Sequence, residues 1–241
     1  MKTKSITRGS SRTVYKLASA VGLVFWMLGV SVVCAQEAQM QRGYVQRHEP
    51  AQQPSIACGD FNYSSLSIGP LDYRITPPDV RELVERRHFT KDVEQLKQGI
   101  TSSVGGDINY TLRAFPNHPR ALKAAAELAR RKGGHRLAHL RFSIDCYFDR
   151  AIAFRPDDVQ VRILWAFELL KSKQRAAALE QTKVAESLAK NDPMTHYNVG
   201  LLYFELGDNE KAMTNAKIAY DGGFDLPGLR EKLSKAGQWK E

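Results

Sequence analysis

Residues 193–226, PMTHYNVGLLYFELGDNEKAMTNAKIAYDGGFDL, decide the fold class because their small residues recur at a fixed distance. Three of these small residues have counterparts 34 residues upstream. The pairs are Gly200 with Ala166, Ala212 with Ala178, and Ala219 with Ala185. A period of about 34 residues is typical of two antiparallel helices stacked in tandem. Only Gly, Ala or Ser fits where such helices cross, so the pattern predicts closely packed helix pairs.

The same stretch resembles the tetratricopeptide repeat. That family has Gly or Ala at its eighth position, Tyr at the eleventh, Gly at the fifteenth, and Ala at the twentieth and twenty-seventh. These five positions correspond here to Gly200, Tyr203, Gly207, Ala212 and Ala219. The fourth position, where the family has an aromatic residue, is His196. The resemblance implies an all-α, right-handed superhelical stack of helix-turn-helix repeats, and it says little about the partner.

Two further repeats precede this one, and we expect a helix to cap the stack. Residues 159–192 keep the small residues but have Lys173 in place of the turn glycine. Residues 119–158 form a degenerate repeat, with Gly133 at the fifteenth position, where glycine ends the first helix of a repeat, and with an insertion around 134–142 between its two helices. Residues 227–241 are predicted to form the capping helix, with Leu229 and Leu233 turned inward, because a stack of repeats otherwise exposes an apolar end.

The net charge of +9 does not indicate nucleic-acid binding. Five of these charges fall in residues 1–35, which contain no acidic residue, so the rest of the chain carries only +4. A domain of such low net charge lacks the electrostatic footprint of a nucleic-acid-binding protein.

The N-terminus is typical of an exported protein. Basic residues up to Lys16 precede an uncharged apolar run, and Val33-Cys34-Ala35 matches a signal-peptidase site, so we expect cleavage after Ala35. The alternative is an uncleaved membrane anchor.

Residues 36–57, rich in Gln, are predicted to form a disordered linker. Segments within 58–239, such as DINYTLRAFPNHPRAL and HYNVGLLYFELGD, resemble uncharacterised exported repeat proteins of Gram-negative bacteria. This resemblance supports a periplasmic location. The alternative is a protein anchored in the inner membrane and facing the periplasm.

Cleavage would leave two cysteines, Cys58 and Cys146. An even number of cysteines in an oxidising compartment favours one disulfide. Two unpaired thiols remain an alternative, and a thiol-dependent enzyme using either residue is a further one. Neither cysteine lies in a recognisable catalytic signature.

Residues 58–118 are predicted to form an N-terminal arm followed by short helices. A helix over 79–87 would bury Val80, Leu83 and Val84, and a second over 91–98, capped by Thr90, would bury Val93 and Leu96. Gly105 and Gly106 are expected in a flexible connection, with Asp107 capping the helix that follows.

The concave face of this repeat family usually holds the ligand. In this chain that face grades from basic to apolar, which predicts a groove for a peptide with an acidic end and an apolar anchor. Its predicted residues are Arg120, Lys123, Arg130, Arg131, Ile163, Phe167, Tyr197, Asn198, Leu201 and Phe204. The alternative is a solvated basic face beside apolar residues that pack on the N-terminal arm or on a second copy of the chain in a dimer. The carboxylate clamp of some family members is not expected, because only Asn198 matches it.

We expect no catalysis, no cofactor and no metal site. His135 and His139 are spaced for a metal pair, but no acidic residue or Cys accompanies them at metal-ligand spacing, so surface histidines are the interpretation adopted. The sequence thus predicts an exported protein–protein interaction module or scaffold, without nucleic acid as a partner. A membrane-anchored accessory subunit of an envelope complex is the alternative.

Overall fold

A computed structural model describes residues 58, 59, 61 and 68–239, and this part of the chain is all-helical. It contains ten α-helices and no β-strand. The helices are α1 Pro78–His88, α2 Lys91–Glu94, α3 Val104–Ala114, α4 Pro119–Lys132, α5 Ile144–Phe154, α6 Val159–Lys171, α7 Arg175–Leu188, α8 Pro193–Leu206, α9 Asn209–Asp221 and α10 Gly228–Lys235. The all-α prediction is confirmed.

Small residues allow the C-terminal helices to approach closely. A Cβ atom on Gly200 of α8 would lie 2.6 Å from Leu229 Cδ2 of α10 and 3.3 Å from the carbonyl oxygen of Ala212 in α9. Any larger residue at position 200 would therefore separate these helices. Tyr203 fills the space beside this contact and is fully buried.

Left-handed residues end several of the helices. Gly207 (φ 80°) and Gly133 (φ 78°) cap α8 and α4, as the pattern predicted, because glycine adopts positive φ without steric penalty. Lys173, which stands where the family has glycine, also takes positive φ, at 60°. The chain therefore makes the same turn there with a less suitable residue.

The C-terminal helix α10 packs against α8 and α9, and its two leucines point inward. Leu229 and Leu233 are fully buried. Trp239 folds back so that its ring centroid lies 5.6 Å from that of Tyr220, and the Arg230 guanidinium lies 4.9 Å from the Trp239 ring.

The predictions for the first two helices were partly wrong. Val84 of α1 is buried as expected, but Leu83 is exposed. Helix α2 ends at Glu94, earlier than predicted, and Leu96 beyond it has positive φ. Thr90 occupies the N-cap position, but its side chain makes no capping hydrogen bond.

The start of α3 also differs from the prediction. The helix begins at Val104, and the side chain of Ser103 caps it by accepting a hydrogen bond from the Gly106 N–H. Asp107 lies inside the helix, fully buried, where its carboxylate accepts hydrogen bonds from the Ile100 and Thr101 N–H groups. Gly105 and Gly106 are helical residues and do not form a flexible connection.

A disulfide joins Cys58 to Cys146 at the start of α5, across 88 residues of sequence. The buried Arg150 donates to the carbonyl oxygens of Cys58 (3.2 Å) and Gly59 (2.8 Å). The Phe61 ring packs 5.5 Å from that of Phe154. Covalent, polar and aromatic contacts thus hold this part of the predicted arm on α5.

The predicted signal peptide or anchor (1–35) lies outside the described residues, as do residues 36–57 of the linker. Within the described part, none of the helices combines the length and apolar character that a membrane span requires.

Replacing both cysteines, as Cys58→Ser with Cys146→Ser, should lower the free energy of unfolding by roughly 2–4 kcal/mol, because the disulfide restricts a long loop of the unfolded chain. Guanidinium unfolding monitored by circular dichroism measures the change. Chemical reduction of the wild-type protein should give a similar loss. Equal unfolding midpoints for oxidised and reduced protein would contradict the role of this bond.

Gly105→Ala should lower the free energy of unfolding by about 1–3 kcal/mol through overpacking. The added Cβ would lie 1.9 Å from the carbonyl oxygen of Ala138, so backbone would have to move. Asp145→Ala, at an exposed site on α5, is the control and should change stability much less. A Gly105→Ala protein as stable as the wild type would show that this contact is loose.

Candidate functional site

A basic cleft lies between the α2 region, α4 and the C-terminal end of α6. It has a volume of about 560 Å³. Its lining consists of Glu94, Gln95, Leu96, Arg120, Lys123, Ala124, Glu127, Arg130, Arg131 and Lys171. All four basic residues predicted from α4 are therefore brought together here.

The pattern of α4 explains why its charges share one face. Pro119 begins the helix after His118, whose side chain accepts a hydrogen bond from the Ala121 N–H. The alanine and leucine positions are buried against neighbouring helices, which leaves the cations on the opposite face. Positions 120, 123, 127, 130 and 131 recur at helical spacing, so they line the cleft as one stripe.

An alternating chain of charges crosses the cleft from α4 to α6. Arg131 Nε donates to Glu127 Oε1 (2.7 Å), and Arg130 Nη2 donates to Glu127 Oε2 (2.6 Å). Arg130 Nη1 donates to Glu168 Oε2 (2.8 Å), and Lys171 Nζ donates to Glu168 Oε1 (2.7 Å). The two oxygens of each carboxylate accept from different cations, and Arg130 bridges the two carboxylates, so the cationic heads are fixed in position.

The two carboxylates of this chain differ sharply in exposure. The Glu168 side chain is 3% exposed, whereas that of Glu127 is 37% exposed. Hydrogen bonds from Arg130 and then Arg131 lower the pKa of Glu127 to about 2. Hydrogen bonding to Glu168 and then Glu127 raises the pKa of Arg130. Glu127 and Arg130 are therefore both ionised at neutral pH.

The two remaining cations of α4 differ in their partners. Arg120 lies 3.4 Å from Glu85 and 3.6 Å from Glu94. Lys123 is exposed and takes part in none of the ion pairs found among the described residues. Five basic side chains thus line a cleft that contains fewer carboxylates, and Lys123 is the cation most available to an anion.

The predicted apolar end of the groove is largely filled from within the protein. Ile163 (5% exposed) and Tyr197 (8% exposed) are core residues, contrary to their predicted role as part of an exposed face. The Tyr197 ring lies 4.8 Å from that of Phe224, in the turn after α9. This turn occupies the side of Tyr197 that was expected to face a ligand.

The other three predicted apolar positions and Asn198 keep part of their surface. Phe167, Leu201 and Phe204 are partly buried, and Lys232 of α10 lies 5.4 Å from the Phe204 ring. Asn198 donates to the Met194 carbonyl of its own helix at 2.9 Å. None of the six predicted residues from α6 and α8 lines the basic cleft.

The predicted groove residues leave out five members of the charge network, namely Glu85, Glu94, Glu127, Glu168 and Lys171. Glu127 and Lys171 hold concave-face positions of the repeat that the sequence resembles, but their ion pairs were not predicted. Glu168 lies three residues before Lys171, a spacing at which opposite charges on one helix contact each other. The pairing of Glu168 with Lys171 could therefore have been predicted from this spacing. The contacts of Glu85 and Glu94 with Arg120 could not, because they join segments that are distant in the sequence.

A buried histidine lies behind Arg120. His118 Nδ1 accepts from the Ala121 N–H, so Nε2 carries the ring proton and faces Glu85 Oε1 at 3.3 Å. The Tyr73 hydroxyl donates to the same Glu85 oxygen at 2.8 Å. Burial lowers the pKa of His118, and hydrogen bonding to His118 lowers the pKa of Glu85 to about 2. This cluster joins the arm to α1 and α4 and is closed to solvent at the histidine.

A second cleft, of about 240 Å³, lies beside the disulfide. Asn109, Tyr110, Arg113, Arg141 and Phe142 contribute to its lining, together with Arg150. Because Arg150 binds the backbone of residues 58 and 59, we assign this cleft to the attachment of the N-terminal arm.

Two other groups of polar side chains contain histidine, and neither has the arrangement of a metal site in the described part of the chain. His88 Nδ1 lies 3.2 Å from Asp107, but Asp107 already accepts hydrogen bonds from two backbone N–H groups and from the Thr101 hydroxyl, which is the arrangement of a structural turn. His135 and His139 lie in the connection between α4 and α5. Among the described residues, no group of three or more His, Cys, Asp and Glu side chains is arranged to hold a metal ion.

Comparison with known protein families finds no family model that matches the chain. Comparison with curated proteins finds no match either.

Stability should fall as the pH drops below about 6.5, and His118 is the expected cause. Its pKa is lowered from 6.5 in the folded state, so the unfolded chain takes up this proton first. His118→Asn, whose amide oxygen can replace Nδ1 as the capping acceptor, should flatten the pH dependence of the free energy of unfolding between about pH 7.5 and about pH 5.5. Urea unfolding at both pH values measures it.

His135→Asn is the matched control and should keep the wild-type pH dependence, because His135 lies in the connection after α4. Glu85 should add a second loss of stability at lower pH, since its carboxyl pKa falls from 4.5 to about 2 on folding. An unchanged slope in the His118→Asn protein would assign the loss below about pH 6.5 to another group.

Proposed function

We propose that this protein is an exported helical-repeat module of the tetratricopeptide type that binds an acidic segment of a protein partner in the basic cleft. The observation that carries the proposal is the stripe of α4 cations, held in place by Glu127 and Glu168, with Lys123 free of ion pairs in the described structure. Binding is the proposed activity, and catalysis forms no part of it.

The order of helix contacts supports the repeat architecture. Helix α6 packs against α7 and also against α8, and α7 packs against α8, which in turn packs against α9. Two consecutive antiparallel pairs would make these contacts if each pair stacked on the next. The 34-residue recurrence of small residues supports the same architecture from the sequence side.

The charge arrangement favours an acidic peptide over nucleic acid as the ligand. A long polyanion is bound by an extended basic surface with little acid in it. Here the cations alternate with Glu127 and Glu168, so positive charge is offered at separate points rather than over a continuous surface. Carboxylates spaced along a peptide fit such points, and Arg forms paired hydrogen bonds with a carboxylate.

Partly buried apolar side chains near the cleft support an additional apolar contact. Phe167 lies one turn before Lys171 on α6, and Leu170 precedes Lys171 directly. Both are partly buried. A partner segment that extends from the cleft along α6 would cover them, and this burial would add to the affinity.

The thiol-dependent alternative receives no support, since Cys58 and Cys146 form the disulfide. Export to the periplasm, and the choice between cleavage and a retained anchor, rest on residues 1–35. They remain part of the proposal, and N-terminal sequencing of the exported protein tests them: a start at Gln36 excludes the anchor.

The double variant Lys123→Glu with Arg131→Glu should weaken binding of a fluorescein-labelled hexaglutamate peptide by about tenfold or more, because both side chains face the cleft. Fluorescence anisotropy measures the affinity, and added salt should weaken the wild-type complex. Arg130 is left intact because it also pairs with the buried Glu168.

The matched control is Lys183→Glu with Lys217→Glu, which makes the same charge change at exposed positions on α7 and α9. It should retain most of the wild-type affinity. If both double variants lost affinity equally, general charge rather than the cleft would explain binding, and the proposed site would be wrong. If only the cleft variant loses affinity, photo-crosslinking from position 123 in cells would identify the natural partner.

A further inference from the structure

We infer that Glu127 occupies the place of the ligand's own carboxylate and acts as an internal competitor that a partner must displace. This inference rests on the proposed function. It assigns Glu127 a specificity-determining role, and it predicts that removing this acidic group strengthens binding.

The first support is the way in which Glu127 uses its two oxygens. One oxygen accepts from Arg131 Nε and the other from Arg130 Nη2, at 2.7 and 2.6 Å. A carboxylate shared between two guanidinium groups is the arrangement that a bound acidic side chain would make with these arginines. The structure therefore shows the arginines occupied by a group of the chemistry that they are proposed to recognise.

The second support is the contrast between the two carboxylates that hold Arg130. Glu168 is almost fully buried and also binds Lys171, so moving it would leave charge unpaired in the interior. Glu127 is more than a third exposed and lies on the same face of α4 as its two partners. A rotation of the Glu127 side chain toward solvent would release Arg131 and the Nη2 group of Arg130 without moving the backbone or Glu168, which would still hold Arg130 through Nη1. Glu168 is thus the positioning residue, and Glu127 is the exchangeable one.

The third support is that Glu127 stays ionised near neutral pH, so a ligand must displace it as a carboxylate. The pKa of Glu127 is lowered to about 2, so protonation does not remove this carboxylate near neutral pH. An incoming carboxylate must displace it directly. A tethered group has a high effective concentration, so a single free carboxylate competes poorly.

A ligand with several carboxylates competes better because it also reaches Lys123. Lys123 and Arg131 lie eight residues apart on α4, which is about 12 Å along a helix. An extended peptide covers that distance in about four residues. The inferred ligand class is therefore a peptide segment with clustered acidic residues, of which one replaces Glu127 and another contacts Lys123.

The test compares Glu127→Gln with the wild-type protein in binding labelled hexaglutamate, measured by fluorescence anisotropy. Glutamine keeps the size of the side chain and removes its charge. We expect affinity to rise about threefold to tenfold, since two exposed ion pairs no longer compete with the ligand.

Glu94→Gln is the matched control, because Glu94 lines the same cleft but pairs only with Arg120, at 3.6 Å. It makes the same change in net charge. A gain for Glu127→Gln that clearly exceeds the gain for Glu94→Gln supports displacement. Equal gains would reduce the effect to net charge and overturn the inference, and weaker binding by Glu127→Gln would show that Glu127 only positions the arginines.

The outcomes also separate this inference from the proposed function. If Lys123→Glu with Arg131→Glu abolishes binding while Glu127→Gln does not improve it, the cleft binds acidic peptide and the competitor role is wrong. If neither the wild type nor Glu127→Gln binds hexaglutamate, both proposals fail. Binding of hexaglutamate by the Glu127→Gln variant but not by the wild type would be the strongest support for both proposals.

Discussion

The buried carboxylate of Glu168 is the interaction on which the arrangement of the cleft depends. A charged group with so little solvent access is strongly unfavourable unless cations and hydrogen bonds satisfy it. Arg130 from α4 and Lys171 from α6 supply those cations, one to each oxygen. The requirement to satisfy Glu168 therefore fixes where the C-terminal ends of α4 and α6 present their positive charge.

Close packing around α4 makes this pairing geometrically accessible. Ala121 and Ala125 are fully buried, and Leu122 nearly so, so α4 approaches its neighbours closely. At the C-terminal end of the chain, Gly200 and Ala212 have the equivalent effect for α8 and α9. Helices separated by larger side chains would place Arg130 beyond hydrogen-bonding distance of α6. The small residues of α4 are thus a condition for the site, as the small residues of α8 and α9 are for the packing at the other end of the fold.

Much of this structure was predictable from local pattern. Glycine at positions 133 and 207 marked helix ends because few other residues favour positive φ. Likewise, the resemblance to the tetratricopeptide repeat implied that Arg120, Lys123, Arg130 and Arg131 share one face of a helix, before any tertiary contact was known. Both signals act within a single helix or turn, where residue type largely determines conformation.

What escaped prediction depends on contacts between distant segments. Tyr197 and Ile163 occupy positions that face the groove in an isolated repeat, but here the turn containing Phe224 packs on Tyr197. Asp107 has the residue type of a helix cap, yet residues 100 and 101 fold over it and draw it into the interior. In each case the competing partner lies in a turn or loop whose packing the repeat pattern does not specify.

The ion pairs offer a physical reason for the acidic residues in and beside the cleft. Replacing a buried ion pair by well-packed apolar residues is often neutral or stabilising, so stability alone gives no reason for Glu168 at this position. Its physical effect is to hold two long, flexible cationic side chains in defined places, which reduces the entropy that they lose when an anion binds. Glu127 opposes this effect by occupying the same cations. A cleft with both residues is well ordered but only weakly attractive to single anions, and it discriminates between ligands by the number and spacing of their carboxylates.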